Sequence, residues 1–268
     1  QTLDLSGFGI ASENTTSIIS NTINQFILSG IQEQTQVQSE QNNQLGMIKF
    51  SGIYKPDARL QVDYDILLKA SNQRQDDATF SAFADQTNDI VERKENRPTS
   101  IEQNINAYYT ASENDIFAGQ FQHMLRSEDP FYNAITDLLP FAGILPVSQE
   151  GGRFNLSQEK EIQTNKLDGK IDYYRILNKT SHLNITLGTT LSFQNFDSKI
   201  FERINGTTDL LEETLPIDGQ SSSLVNDVNY DFRDLFLGVH YKIKRGDFTF
   251  SPGLTLHQYG LSNTQLGS

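Results

Sequence analysis

Asp63 and Asp65 stand two apart in the alternating run from Leu60 to Leu68, so a strand would carry both carboxylates on one face. Two carboxylates so placed can hold a cation or a cationic substrate group. On a hydrated face they are solvated acids, and both readings stay open. His240 and His257 fall at polar positions of two neighbouring runs, where cross-strand pairing could bring two metal ligands together. Their unequal distances from the intervening turn count against that. The other histidines are His123 and His182, and the absence of cysteine excludes thiolate metal sites, disulfides and cysteine nucleophiles. No Gly-x-Ser-x-Gly elbow occurs. The acids between positions 75 and 89 lack EF-hand spacing, which leaves a loop calcium site open beside a solvated acidic loop. With no catalytic constellation in view, the chain is expected not to be an enzyme and to hold no metal or cofactor.

One stretch offers a binding surface instead. Asp129 to Pro146 is apolar in a polar neighbourhood. Asp129 followed by Pro130 reads as the cap and first position of a short helix, with Phe131, Ile135, Leu138 and Leu139 on one side by 3–4 spacing. Phe131, Tyr132, Leu138, Leu139 and Phe141 are therefore candidate ligand or partner contacts. The alternative is that the stretch packs onto neighbouring loops. Five Asn-x-Ser/Thr triplets, at Asn14, Asn155, Asn178, Asn184 and Asn205, are what a chain this rich in Asn, Ser and Thr produces by chance.

The elements that must position these groups are strands. Leu60, Val62, Tyr64, Ile66 and Leu68 alternate with polar residues, as do Leu183, Ile185, Leu187, Leu191 and Phe193, and Leu235, Leu237, Val239, Tyr241 and Ile243. Weaker runs bring the count to about ten. Tight turns at Tyr54–Ala58, Ser112–Asp115, Leu177–Ser181 and Lys244–Asp247 carry Pro, Asn, Asp or Gly. Between them lie three long polar segments, 71–103, 126–160 and 197–230. Structureless loops of that length are uncommon in a compact soluble domain. Alternating short turns and long loops are the plan of an outer-membrane barrel, with the long loops extracellular. Pro252 sits inside one run and predicts a bulge beside Gly253 or an edge strand.

Composition agrees. The 268 residues carry 34 acids, 21 bases and a formal net charge of −13, which argues against a nucleic-acid partner. Asn and Gln supply 43 residues, yet aromatics hold at 10%. A barrel reconciles the two, because half of each strand and all of its loops can be polar while an outer band stays apolar. Tyr54, Tyr173, Tyr241, Phe248 and Tyr259 lie at run ends, as an interfacial girdle requires; the alternative is ordinary β-forming aromatics. The expected fold is an all-β, antiparallel transmembrane β-barrel. A soluble β-sandwich or adhesin-type binding module is the second reading.

The stretch from Arg233 to Tyr259, with its short basic turn and Pro252-Gly-Leu-Thr-Leu256, resembles a hairpin of the TonB-dependent receptor barrels of Bacteroidota. Leu167 to Tyr174 followed by Leu183 to Phe193 is similar to another, and Leu3 to Ile10 also fits. The resemblance implies outer-membrane lipid around the barrel of a Gram-negative bacterium and energised uptake of a small ligand or oligomeric nutrient. It also implies the TonB system, and a surface lipoprotein, as partners. No plug domain or TonB box is recognisable. The chain begins inside a run and ends just past one at Leu261–Ser268, so it reads as a segment of a larger barrel, with a complete barrel of about ten strands as the alternative.

Overall fold

The structure is a computed structural model that describes residues 1–27, 31–83, 86–139, 147, 151–204, 207–210 and 224–266. Its elements are all strands: β1 (Thr2–Ile27), β2 (Ile31–Lys55), β3 (Leu60–Phe83), β4 (Gln86–Asn96), β5 (Thr99–Thr110), β6 (Asp115–Glu128), β7 (Phe131–Thr136), β8 (Phe154–Asn178), β9 (Ser181–Ile204), β10 (Thr207–Leu210), β11 (Val225–Arg245), β12 (Phe248–Phe250) and β13 (Gly253–Leu266). They form one 13-stranded sheet in which every pairing among the described residues is antiparallel.

Three pairs of these elements are single long strands interrupted by proline. Gln73 faces Asn96 on β4 and Ala70 faces Thr99 on β5, so the register passes through Arg97-Pro98 without a slip. The same continuity holds across Asp129-Pro130, between β6 and β7, and across Ser251-Pro252, between β12 and β13. Proline has no N–H to give the ladder, but it keeps its carbonyl. Pro98, Pro130 and Pro252 accept from the N–H groups of Ser71, Lys160 and Tyr241 at 3.0, 2.9 and 2.9 Å. Two breaks lie side by side, and there the Arg97 N–H donates to the Asp129 carboxylate at 2.8 Å. Asp129 thus serves a neighbouring strand instead of capping a helix. Residues 131–136 are strand β7, which corrects the helical reading.

With those breaks bridged, the sheet is an up-and-down meander of nine long strands. The links Lys55–Leu60, Thr110–Asp115, Asn178–Ser181 and Arg245–Phe248 are tight turns at one end, the last two-residue turn having Gly246 at φ 61°. At the other end the strands run far past the expected boundary. Most described residues of 71–103, 126–160 and 197–230 are strand, not loop.

Residues that face each other across a pair share a face, so the register divides the sheet in two. One face carries Leu3 and Leu5 on β1, Ile48 and Phe50 on β2, and Val62, Tyr64, Ile66 and Leu68 on β3. It continues through Ile101 and Ile105, Phe117 and Phe121, Leu167 and Ile171. Leu187 and Leu191 follow on β9, Leu235, Leu237 and Val239 on β11, and Leu254 and Leu256 on β13. The belt is about nine residues tall, ~30 Å along a strand at about 3.3 Å per residue, the height needed to cross hydrocarbon. Its turn-side border is aromatic. Tyr109, Phe117 and Tyr173 stand in a row with ring centroids 6.5 and 4.9 Å apart, and Tyr54 and Tyr241 lie on the same face. Tyr259 is not part of this girdle: it lies on the opposite face, stacked on His257.

Exposure runs against the pattern of a soluble protein. Leu5, Leu254, Leu256 and Ile171 are 76, 65, 61 and 58% exposed, while Asp77 and Asp172 are 8 and 7% exposed. Among the described residues only Phe154 and Leu156 are buried apolar side chains. The belt itself holds a hydrogen-bonded line of polar groups. The Tyr64 hydroxyl donates to Gln103 Oε1 at 3.0 Å, Gln103 Nε2 lies 3.4 Å from His123 Nδ1, and His123 Nε2 lies 3.1 Å from Asn165 Oδ1. Such pairing is what makes polar groups tolerable on an apolar face.

Candidate functional site

The polar face is built by the residues that alternate with the belt. At belt level it is a set of self-neutralised groups. β8 offers Lys166, Asp168, Lys170 and Asp172 at every second position, with Lys166–Asp168 at 2.9 Å and Lys170–Asp172 at 3.5 Å. Thr190 donates to Asp168 at 2.6 Å, and Thr186 donates to Asp172. Asp63 and Asp65 share this face but do not act together. Asp63 accepts from Gln61 Nε2 at 2.8 and 3.0 Å. Asp65 instead pairs with Lys49 at 3.1 Å and accepts from Ser51.

The two histidines are likewise separated. His240 faces Gly253, whereas His257 faces Phe236, four positions along β11. His257 Nδ1 lies 3.1 Å from both oxygens of Asp234, and its ring stacks on Phe236 and Tyr259 with centroids 5.3 and 5.4 Å away. This Asp–His pair was missed in the sequence. Counting back from the two-residue turn Gly246-Asp247 places His257 opposite Phe236 and diagonal to Asp234, so the signal was available. Phe236 in turn covers Gly188 of β9, where an added Cβ would meet the ring at 2.2 Å.

Beyond the belt both faces carry charged and polar groups among scattered apolar ones. On the face continuous with the belt, Asp76 is held by Arg74 at 2.6 Å and Arg93 at 2.8 Å. On the other face Asp77 accepts from Ser39 at 2.6 Å and Gln75 at 2.8 Å, and pairs with Lys94 at 3.1 Å. Lys94 Nζ sits 5.9 Å from the centroid of the Tyr132 ring, and the Tyr132 hydroxyl donates to Glu92. Burial, with Glu92 beside it, pushes the Tyr132 phenol above its ordinary range. A cavity of about 530 Å³ opens beside this network, lined by amides such as Gln41, Asn43, Asn96 and Gln158, by Tyr132, and by the charged Arg74, Lys94, Glu95 and Lys160. Asn96 Oδ1 is buried there with no hydrogen-bond partner. Amides that both donate and accept, next to a phenol ring and charged groups of both signs, suit a polar ligand rich in hydroxyl or amide groups.

The remaining candidates are dispersed. Phe131 lies on the belt-side face, 5.5 Å from the Arg203 guanidinium, and Tyr132 lies on the other. Leu138 and Leu139 are 44 and 42% exposed just past β7, and Phe141 lies outside the described residues. No group of three or more metal-ligating side chains is found among the described residues. A second cavity of about 1060 Å³ takes its walls from seven strands, β1, β2, β3, β5, β6, β8 and β9. Small residues Gly9, Ala11, Gly46 and Ala70 open it, beside Leu68 and Leu125 at the upper rim of the belt.

No family model matches the sequence, and no curated protein matches it. Among solved structures the chain is similar to the outer membrane protease OmpT from Escherichia coli, at 9% identity and a TM-score of 0.28, over 98% of this chain and 96% of that one. It is also similar to the FrpB iron transporter from Neisseria meningitidis. The F3-3 variant gives 7% identity and a TM-score of 0.17 over 98% of this chain and 62% of that one. The F5-1 variant gives 7% identity and a TM-score of 0.16 over 97% and 63%. The expectation that the chain is not an enzyme is corrected: one of these likenesses is to an outer membrane protease.

Proposed function

We propose that the chain is the barrel portion of a TonB-dependent receptor in the outer membrane of a Gram-negative bacterium. It would take up a small ligand or oligomeric nutrient. The observation that carries this reading is the inverted distribution of polarity. Nine long strands present an exposed apolar belt on one face and a half-buried, ion-paired face on the other. Only a lipid surround makes the first favourable, and only a wet interior makes the second so. The resemblance of Arg233–Tyr259 to receptor hairpins supports the finer assignment. The Lys–Asp ladder of β8 would form part of the wetted wall, and the polar cavity beside Tyr132 would meet ligand above the membrane.

The test has two parts. In the outer-membrane fraction the protein should migrate faster on a gel unboiled than boiled, and it should need detergent for extraction. Cells lacking the gene should lose uptake of a labelled compound from a panel of hydroxyl- or amide-rich nutrients. Uptake by wild-type cells should collapse when an uncoupler dissipates the proton gradient. Uptake that persists after uncoupling would contradict the energised assignment and leave a passive barrel.

A further inference from the structure

Two neighbouring turns gather cations that have no acid partner. Lys179 sits in the turn between β8 and β9, while Lys242, Lys244 and Arg245 end β11 beside the turn Gly246-Asp247. β9 pairs with both β8 and β11, and the Lys244 N–H donates to the Thr180 carbonyl at 2.8 Å, so the two turns are held together. Asn178 Oδ1 accepts from the Thr180 N–H at 2.9 Å and from its hydroxyl at 2.8 Å, which fixes the turn that presents Lys179. His182 faces Lys242 across the β9–β11 pair. Four cations thus share one corner with a single acid, Asp247, in a chain of net charge −13. Lys49, Lys94, Lys166 and Lys170 have acid partners on the sheet, but none of these four ion-pairs among the described residues. All four are exposed, and like charges so gathered repel unless an anion covers them.

The same corner is apolar on the belt side. Arg245 faces Phe248 and Ile243 faces Phe250, so all four lie on the face that carries the belt. Phe248 and Phe250 are 71 and 57% exposed, and Leu177, at the bulge that ends β8, is 52% exposed. Exposed rings with a guanidinium beside them are the chemistry of headgroup depth, where acyl chains meet phosphate. We propose that this corner binds the headgroup of an anionic phospholipid in the leaflet on the turn side, with its acyl chains against Phe248, Phe250 and Ile243. Arg245 and Lys179 hold the phosphate. Lys242 and Lys244, on the other face of the same tip, add their field over a screening distance of about 10 Å at 0.1 M salt. A lipid fits better than a soluble anion because the rings and Arg245 share one face and one end of the sheet. The inference rests on the membrane reading above and adds to it the charge of the lipid, its leaflet and the residues that select it.

The test uses protein purified from its outer membrane in detergent micelles doped with tritiated phosphatidylglycerol or phosphatidylcholine of the same chains, and counts the lipid that stays with the protein. A Lys or Arg near an anionic lipid surface is worth about fivefold in affinity. Phosphatidylglycerol should therefore bind at least about tenfold more tightly than phosphatidylcholine, and the preference should vanish at about 1 M salt. Lys179→Gln with Arg245→Gln should abolish the preference, and the charge-keeping pair Lys179→Arg with Arg245→Lys should retain it. Lys69→Gln with Lys199→Gln removes the same charge from exposed positions elsewhere on the sheet and should also retain it. Equal binding of the two lipids by heat-modifiable protein overturns the inference and leaves the membrane reading intact, as does equal loss in the Lys69 and Lys199 pair. Displacement of phosphatidylglycerol by excess inorganic phosphate or by a soluble acidic peptide shows that the anion alone is read, and overturns it too. Protein that needs no detergent defeats the membrane reading and the inference together.

Discussion

Leu187→Lys places a charge at the middle of the belt. Leu187 is 52% exposed and lies in one row with Ile171, Leu237 and Leu256, themselves 58, 44 and 61% exposed. Were this face in water, the substitution would be an ordinary surface change within about 0.5 kcal/mol. Facing the bilayer midplane, it should cost about 2–4 kcal/mol, a drop of about 30- to 1000-fold in the folded-to-unfolded ratio. Gln122→Lys is the matched control, because Gln122 is exposed on the opposite face and sits across from Asp168. It should cost less than about 1 kcal/mol. The assay is urea titration of folding into phosphatidylcholine vesicles, read by heat-modified gel mobility. Equal, small costs for the two variants would refute the reasoning, and so would a larger cost for Gln122→Lys.

Asp77→Ala removes the shared acceptor of Ser39, Gln75 and Lys94 and should lower stability by about 1–3 kcal/mol, measured by the same titration. Gly188→Ala drives a Cβ into the Phe236 ring. It should cost about 1–3 kcal/mol alone and much less beside Phe236→Leu, so the double-mutant cycle should show clear coupling. The backbone N–H groups of Arg59 and Leu60 donate to Asp57 at 2.7 and 3.0 Å and hold its carboxyl below the ordinary range. A folded value below the unfolded one stabilises the protein above the unfolded value of about 4 and loses that as pH falls through the folded value. Asp57→Asn should therefore flatten the acid limb of the stability profile below about pH 4, and an unchanged limb would contradict this.

The belt was legible because hydrophobic contrast at period two survives wherever one face meets an apolar medium. Leu60–Leu68, Leu183–Phe193 and Leu235–Ile243 all took the expected faces. The strands beyond the belt were not legible. Residues 71–77 are polar on both faces, and in 197–204 the apolar Ile200, Phe201 and Ile204 are divided between the two faces, so alternation carries no contrast there. Pro130 misled for a physical reason. Asp-Pro is a helix-start signature, and the sequence does not reveal that Lys160 would use the proline carbonyl or that Arg97 would use the Asp129 carboxylate. Candidate side chains were placed on the right face more readily than with the right partner. Asp63 and Asp65 share a face as expected, but cross-strand register gave Asp65 to Lys49 and Ser51, and gave His257 to Asp234.

The central claim is that the apolar face meets lipid and the polar face meets water. Single cysteines at each position from Leu183 to Phe193, spin-labelled and reconstituted in bilayers, test it strand by strand. Odd positions should be accessible to dissolved oxygen and even positions to a water-soluble nickel chelate, with a period of two along the whole run. A reversed pattern, or equal accessibility of both sets to the chelate, would contradict it.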